Sequence, residues 1–100
     1  MTQFDRAVQL GTDPLRVAPT LNDTGASLAS RGRPQDAEPI IRRAVALNPM
    51  LVQARRNLVL VLLDEGRTSE AKASLDDAIT ATGQRPEYQD LAAQVTGSQR

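Results

Sequence analysis

The sequence has no cysteine, histidine or tryptophan, and its only aromatic side chains are Phe4 and Tyr88. Without cysteine there is no disulfide framework, no thiolate nucleophile and no thiolate metal site. Without histidine the commonest general base and the commonest zinc ligand are both missing. No catalytic set, metal or cofactor is therefore expected. The scarcity of aromatics also argues against a β-sandwich or barrel, which draws on aromatic and β-branched residues. Charge of one sign is lacking as well. Twelve basic residues, all arginine except Lys72, balance twelve acidic ones, so nothing steers the whole chain toward nucleic acid or an anionic membrane. The longest apolar run, Leu58 to Leu63, is far short of the roughly 20 residues that span a bilayer. The first residues carry Asp5 and no apolar core of a signal peptide. A cytoplasmic location is the default expectation.

What is present is alanine, leucine and valine, side chains that let helices approach closely. They recur with a period. Sliding the chain by 34 residues aligns positions 18–51 with 52–85 and matches Leu28 with Leu62, Gly32 with Gly66, Arg33 with Arg67, Ala37 with Ala71, and Ala44 with Ala78. Similar residues fall between them, including Asp36 with Glu70 and Ile41 with Leu75. Such a period marks a repeat whose units stack to bury a shared core.

The matched positions have physical meanings. Gly32 and Gly66 stand where one helix stops and the chain reverses, the left-handed position that costs glycine least. Pro34 opens the next helix as its first residue, and Thr68 is the expected N-cap of the corresponding one. Asp36 and Glu70 fall in the first turn, where acid meets the positive helix end. Ala37 and Ala44, like Ala71 and Ala78, lie two turns apart on one face, small enough for close packing against the partner helix. Asn48-Pro49 ends one pair and opens the next.

These residues resemble the tetratricopeptide repeat family. Leu28, Gly32-Arg33, Asp36-Ala37, Ala44 and Asn48-Pro49 trace one unit; Leu58, Leu62, Gly66-Arg67, Glu70-Ala71 and Ala78 trace a second. The early aromatic of the family pattern is Leu21 in one unit and Arg55 in the other, and the closing proline becomes Gly83. The resemblance implies an all-α fold, an α-α superhelix of antiparallel helix pairs, and a role in binding another protein. The expected division is a short N-terminal helix and linker over 1–17, repeats over 18–51 and 52–85, a capping helix over 86–96, and a disordered tail over 97–100. Phe4, Ala7 and Val8 have helical spacing. Gly11–Ala18 is either a linker or an early start of the next helix, with Pro19 favouring the linker. Pro86 opens the capping helix, in which Leu91 and Val95 are four apart.

In the helix expected over Val52–Glu65, the apolar run extends round every side, so the helix should be central and buried. If the family geometry holds, the first helix of each pair lines a concave face. Its candidate partner-binding residues are Asn22, Gln53, Arg56, Asn57, Leu60, Leu63, Glu87 and Asp90, with Ala26, Ala29 and Gln94 beside them. Leu60 and Leu63 are either core or the floor of a peptide groove. Some family members clamp a partner's terminal carboxylate with lysine and asparagine. Arg56 and Asn57 supply part of such a set, but Asn22 and Asp90 occupy places where cations are wanted. On the opposite face, Arg42-Arg43 align with Asp76-Asp77, which predicts ion pairs between stacked second helices. A nucleic-acid patch built from Arg31, Arg33, Arg42, Arg43, Arg55 and Arg56 is the rival reading; it lacks interleaved aromatics.

One enzyme signature competes. Asp23-Thr24-Gly25 is the triplet of aspartic peptidases, whose chemistry needs two such aspartates on loops closing β-sheets. The residues around it read as helix instead, and Gly25 serves as the small residue where two helices touch. Two function classes remain. One is an interaction module or scaffold for a protein partner, as a peptide or helix. The other is a small accessory subunit of a larger enzyme complex, such as a transferase whose chemistry lies elsewhere. Because about three repeats are wanted for a self-sufficient stack, a homo-oligomer or a partner subunit is expected to cover apolar ends.

Overall fold

A computed structural model describes residues 13–97 of the chain. The helix expected near Phe4–Leu10 and residues 98–100 of the expected tail lie outside the described residues. Five helices follow one another: α1 (Pro14–Ser30), α2 (Pro34–Leu47), α3 (Val52–Asp64), α4 (Thr68–Thr82) and α5 (Pro86–Gly97). No strand occurs among the described residues.

The turns form for the reason read from the glycines. Gly32 and Gly66 have φ of 77° and 75°. After α1 the Gly32 amide donates to the Ala29 carbonyl and the Arg33 amide to Leu28; after α3, Gly66 donates to Leu63 and Arg67 to Leu62. Both are Schellman closures, which satisfy carbonyls that a helix end otherwise leaves unpaired. The two matched leucines therefore mark the acceptor of the same turn in each unit. Each closure reverses the chain within three residues, so α1 pairs with α2 and α3 with α4.

Small residues set how closely the pairs approach. Ala37, Ala44, Ala54, Ala71 and Ala78 have no exposed surface. Gly25 goes further: a Cβ built on it would overlap Ile41 Cγ1 of α2. The main core joins Ile41, Leu58, Val59, Val61, Leu62 and Leu75 to Tyr88, Leu91 and Val95 of α5. A smaller cluster of Ala18, Ala44 and Ala54 seals the junction between units. Helix α3 packs against the other four helices, and α5 covers α3 and α4. Tyr88 fixes α5 by a buried hydroxyl pair: Thr82 Oγ1 lies 2.8 Å from the Ala78 carbonyl and 2.8 Å from Tyr88 Oη.

Four expectations need correction. The linker favoured over residues 11–18 gives way at Pro14, where α1 begins and continues through Pro19. Asp13 caps that helix through a 2.9 Å bond from the Leu15 amide to its carboxylate, and Pro14 is pre-set for the first turn. Burial of Ala18 and Asn22 then holds the chain helical across a proline that removes one backbone bond. Thr68 is the first residue of α4 rather than its N-cap; Arg67 holds the cap position without a side-chain bond to the backbone. Helix α3 is central but not buried all round, since Gln53 and Asp64 are exposed while Leu60 and Leu63 are half-buried. The fourth concerns the outer charges. Arg42 pairs with Glu38 of its own helix at 2.8 Å, and Asp76 and Asp77 stand exposed with no ion pair among the described residues.

Candidate functional site

The first helices α1, α3 and α5 present one face, and the 34-residue register sets what meets across it. Asn22, Arg56 and Asp90 occupy the same register position in successive units. The Asn57 amide donates to Asn22 Oδ1 at 2.9 Å, tying α3 to α1. Arg56 Nη2 reaches Asp90 Oδ2 at 2.8 Å and its Nε reaches the Glu87 carbonyl at 3.1 Å, tying α3 to α5. A polar seam therefore crosses all three helices. It satisfies the groups that would otherwise make a carboxylate clamp: Arg56 already holds an acid, and the asparagines hold each other.

Beside the seam runs a groove of about 210 Å³, lined by Ala26, Ala29 and Ser30 from α1 and by Asn57, Leu60 and Asp64 from α3. Its walls are low because the α1 side chains are small. Leu60 lines the groove and also packs against the main core, whereas half-buried Leu63 packs against that core and is not among the groove's lining. Of the residues expected on this face, the structure brings together Asn22 with Asn57, Arg56 with Asp90 and the Glu87 backbone, and Leu60 with the groove. Gln53 is exposed near the start of α3. Sequence reasoning missed Ser30 and Asp64. They are 34 residues apart and close the two first helices at one rim, so the register itself was the signal.

The opposite side carries a charge network that joins the units. Arg67 binds Glu70 in a two-pronged contact at 2.6 Å and reaches Glu65 at 3.1 Å and Glu38 of α2. This is the link between second helices that Arg42, Arg43 and the aspartates were expected to make. Burial pushes the Glu38 carboxyl up, but hydrogen bonds with Arg42, Arg67 and Glu65 outweigh it and hold Glu38 below the usual carboxylate range. Burial and the neighbouring Glu38 raise Glu65 instead, against the pull of Arg67. Hydrogen bonding to Arg67 lowers Glu70. Other arginines of the rival nucleic-acid patch are also engaged: Arg33 with Asp36, Arg55 with the Pro49 carbonyl, and Arg56 with Asp90.

The peptidase triplet falls with the fold. Asp23-Thr24-Gly25 lies in the middle of α1, Thr24 Oγ1 bonds the Thr20 carbonyl of the preceding turn at 3.0 Å, and Gly25 is packed on Ile41. No group of acids suited to a metal ion occurs among the described residues. Nor, among them, is any helix long and apolar enough to cross a membrane.

Comparison with known proteins agrees with the helix pairs. The tetratricopeptide repeat profile matches residues 28–95. A peroxisomal targeting signal receptor from Candida glabrata is 34% identical over 82 residues, which cover 78% of this chain and 14% of the receptor. The chain thus spans about one seventh of that relative's length. No solved structure matches the chain.

Proposed function

This chain belongs to the tetratricopeptide repeat family, and from that premise we propose that it is a protein-interaction module that receives a peptide or helix of a partner in the groove between α1 and α3. The observation that carries this reading is the half-buried Leu60 facing the small side chains Ala26 and Ala29 across an open apolar channel. An apolar anchor of a partner entering there completes the burial of Leu60, as helix-in-groove recognition requires. The yeast relative is by name a receptor for a targeting signal. Recognition of a protein segment is the corresponding role here, with the chemistry of any enzyme complex residing in other chains.

The test uses Ser30→Arg, which projects a long side chain into the groove mouth, and Leu60→Gln, which keeps size and removes apolarity. Met50→Glu, at an exposed residue away from the groove, serves as control. After circular dichroism confirms folding, proteins captured from the native host are compared by quantitative mass spectrometry. Partners lost with both groove variants and kept by the control support the reading. Partners kept by all three overturn it.

A second reading, self-association, rests on a separate observation. An apolar depression of about 630 Å³ lies on α1 and α2, lined by Leu21, Pro39, Ile40 and Ala46 together with Asp36, Arg42 and Arg43. Acid and base in one lining are self-complementary in a two-fold contact between copies. A dimer by light scattering that Ile40→Glu dissolves would establish this mode, and a monomer at all concentrations removes it.

A further inference from the structure

The groove has a sign. Helical spacing places Asp23 on the groove side of α1, three residues before Ala26, and Asp64 four after Leu60, while Glu87 stands three before Asp90 on α5, beyond the residues that line the groove. Arg56 is the cation among them, and Asp90 already holds it at 2.8 Å. Arg16 falls in the extra first turn of α1, whose register counterpart is Met50, ahead of α3. Asp23, Asp64 and Glu87 are exposed and enter no ion pair among the described residues. The chain as a whole has a formal net charge of zero, so this excess of acid belongs to one face rather than to the molecule.

A second feature adds to it. Asn22 meets Asn57, and Ser30 and Asp64 share one rim of the groove, so α1 and α3 run parallel and end together. Each carboxyl end carries about half a negative charge from its aligned peptide dipoles. Two such ends and the Asp64 carboxylate converge on the rim where the apolar channel opens, with exposed Arg31 at the C-cap of α1 as a cation beside them.

We propose that the segment taken up by the groove is basic and amphipathic. An apolar side chain of Leu size enters between Ala26, Ala29 and Leu60, and a Lys or Arg one helical turn further on meets Asp64 and the carboxyl ends of α1 and α3. This inference rests on the groove reading above and adds the chemistry of the ligand to it. The apolar contact supplies most of the affinity. The acids select among segments and speed their capture, an effect that salt screens over about 8 Å at physiological ionic strength.

The experiment uses the full chain, labelled with nitrogen-15, and three designed helical peptides with the same leucine stripe. Their remaining positions are lysine, glutamate or glutamine. The lysine peptide is expected to shift the amides of Ala26, Ala29, Leu60 and Asp64, and to bind about tenfold more tightly than the glutamine peptide at about 50 mM salt. Most of that advantage disappears at about 500 mM. The double variant Asp23→Lys/Asp64→Lys should transfer the preference to the glutamate peptide. Its folding is not at risk from charge, because both sites are exposed and a cation suits the carboxyl end of α3. The double variant Asp76→Lys/Asp77→Lys makes the same change of net charge on the outer face and should leave the lysine preference within about twofold. Equal groove binding of all three peptides overturns the basic preference and leaves the groove standing. Equal losses from inner and outer reversals overturn it too, since the attraction is then diffuse. If no peptide moves the groove amides, the groove reading itself falls, and the inference with it.

Discussion

At the residue scale the fold depends on side chains that are missing rather than present. Gly25 is buried in α1, and any Cβ there meets the branched side chain of Ile41. Two effects of Gly25→Ala oppose each other. Alanine improves helix propensity by about 1 kcal/mol, while overpacking a tight contact costs about 1–3 kcal/mol. Ile41 has no exposed surface and little room to turn away, so packing wins. Gly25→Ala should lose up to about 2 kcal/mol in urea unfolding, and the same substitution should cost less in an Ile41→Ala background, which removes both Cγ1 and Cδ1. A stabilised single variant would show that α1 and α2 are not in contact there. Gly32 is a different case, because the space around it is open and its φ of 77° is what excludes other residues. Both roles were readable from position in the repeat. Which atom Gly25 faces was not, since that depends on the rotamer of a residue 16 positions away.

At the scale of elements, helix pairs are joined by one arginine with three acids around it. Glu38 and Glu65 titrate in opposite directions, and the signs give distinct outcomes. Glu38 is held below its usual range in the folded chain, so it stabilises the fold above the unfolded value and loses this as pH falls through the lowered one. Glu65 is raised, so its contribution is fully present below the unfolded value and is lost as pH rises through the raised one. Glu38→Gln should therefore lower stability at pH 7 by about 1 kcal/mol for a largely shielded pair, read as a lower melting point, and the deficit should shrink in acid. Glu65→Gln should raise the melting point at pH 7, because a neutral amide still donates to Glu38, and the gain should vanish as pH falls below the carboxylate range. Parallel pH profiles for the two variants would break the network account. The helices themselves were legible in the sequence, because turn glycines, first-turn acids and the alanine stripe all repeat at one interval. Pairing of charges was less so. The 34-residue alignment puts Arg42 and Asp76 at equivalent positions, yet an acid one turn away on the same helix wins the arginine at lower entropic cost, and Arg67 reaches across from the turn between α3 and α4. The groove was half legible: register gave Leu60 and Asn57, while Ser30 and Asp64 stand at helix ends, where boundaries are the least certain part of any reading.

At the scale of the whole molecule, α5 is the first helix of a pair whose second member does not occur among the described residues, and its composition answers that. Its register counterparts of Leu58, Val59 and Leu62, all buried in α3, are Ala92, Ala93 and Thr96, all exposed. Its inward face keeps Tyr88, Leu91 and Val95, each with 3% exposure or less. Burial of side chains of this kind contributes about 1.5–3 kcal/mol apiece as an upper estimate. Their sum is comparable with the whole stability of a small domain, about 5–15 kcal/mol. Helix α5 is thus part of the core on one side and solvent-facing on the other, and substitutions at equivalent positions should have opposite consequences. Ala93→Glu should change the melting point by no more than about 0.5 kcal/mol in equivalent stability, whereas Val59→Glu places an unpaired carboxylate in the core and should leave the chain unfolded at neutral pH. A chain shortened to end at Gln84 should likewise fail to melt cooperatively, because the α3 and α4 surfaces beneath Tyr88 and Leu91 are then open to water. Tyr88→Phe offers the graded version, since it keeps the ring and removes only the partner of the Thr82 hydroxyl, at a cost of about 1 kcal/mol. If Ala93→Glu proves as damaging as Val59→Glu, the outer face of α5 is a packed surface and some further unit or second copy lies against it; if the shortened chain melts as sharply as the full one, α5 contributes nothing to the core and the polar seam loses only its third helix.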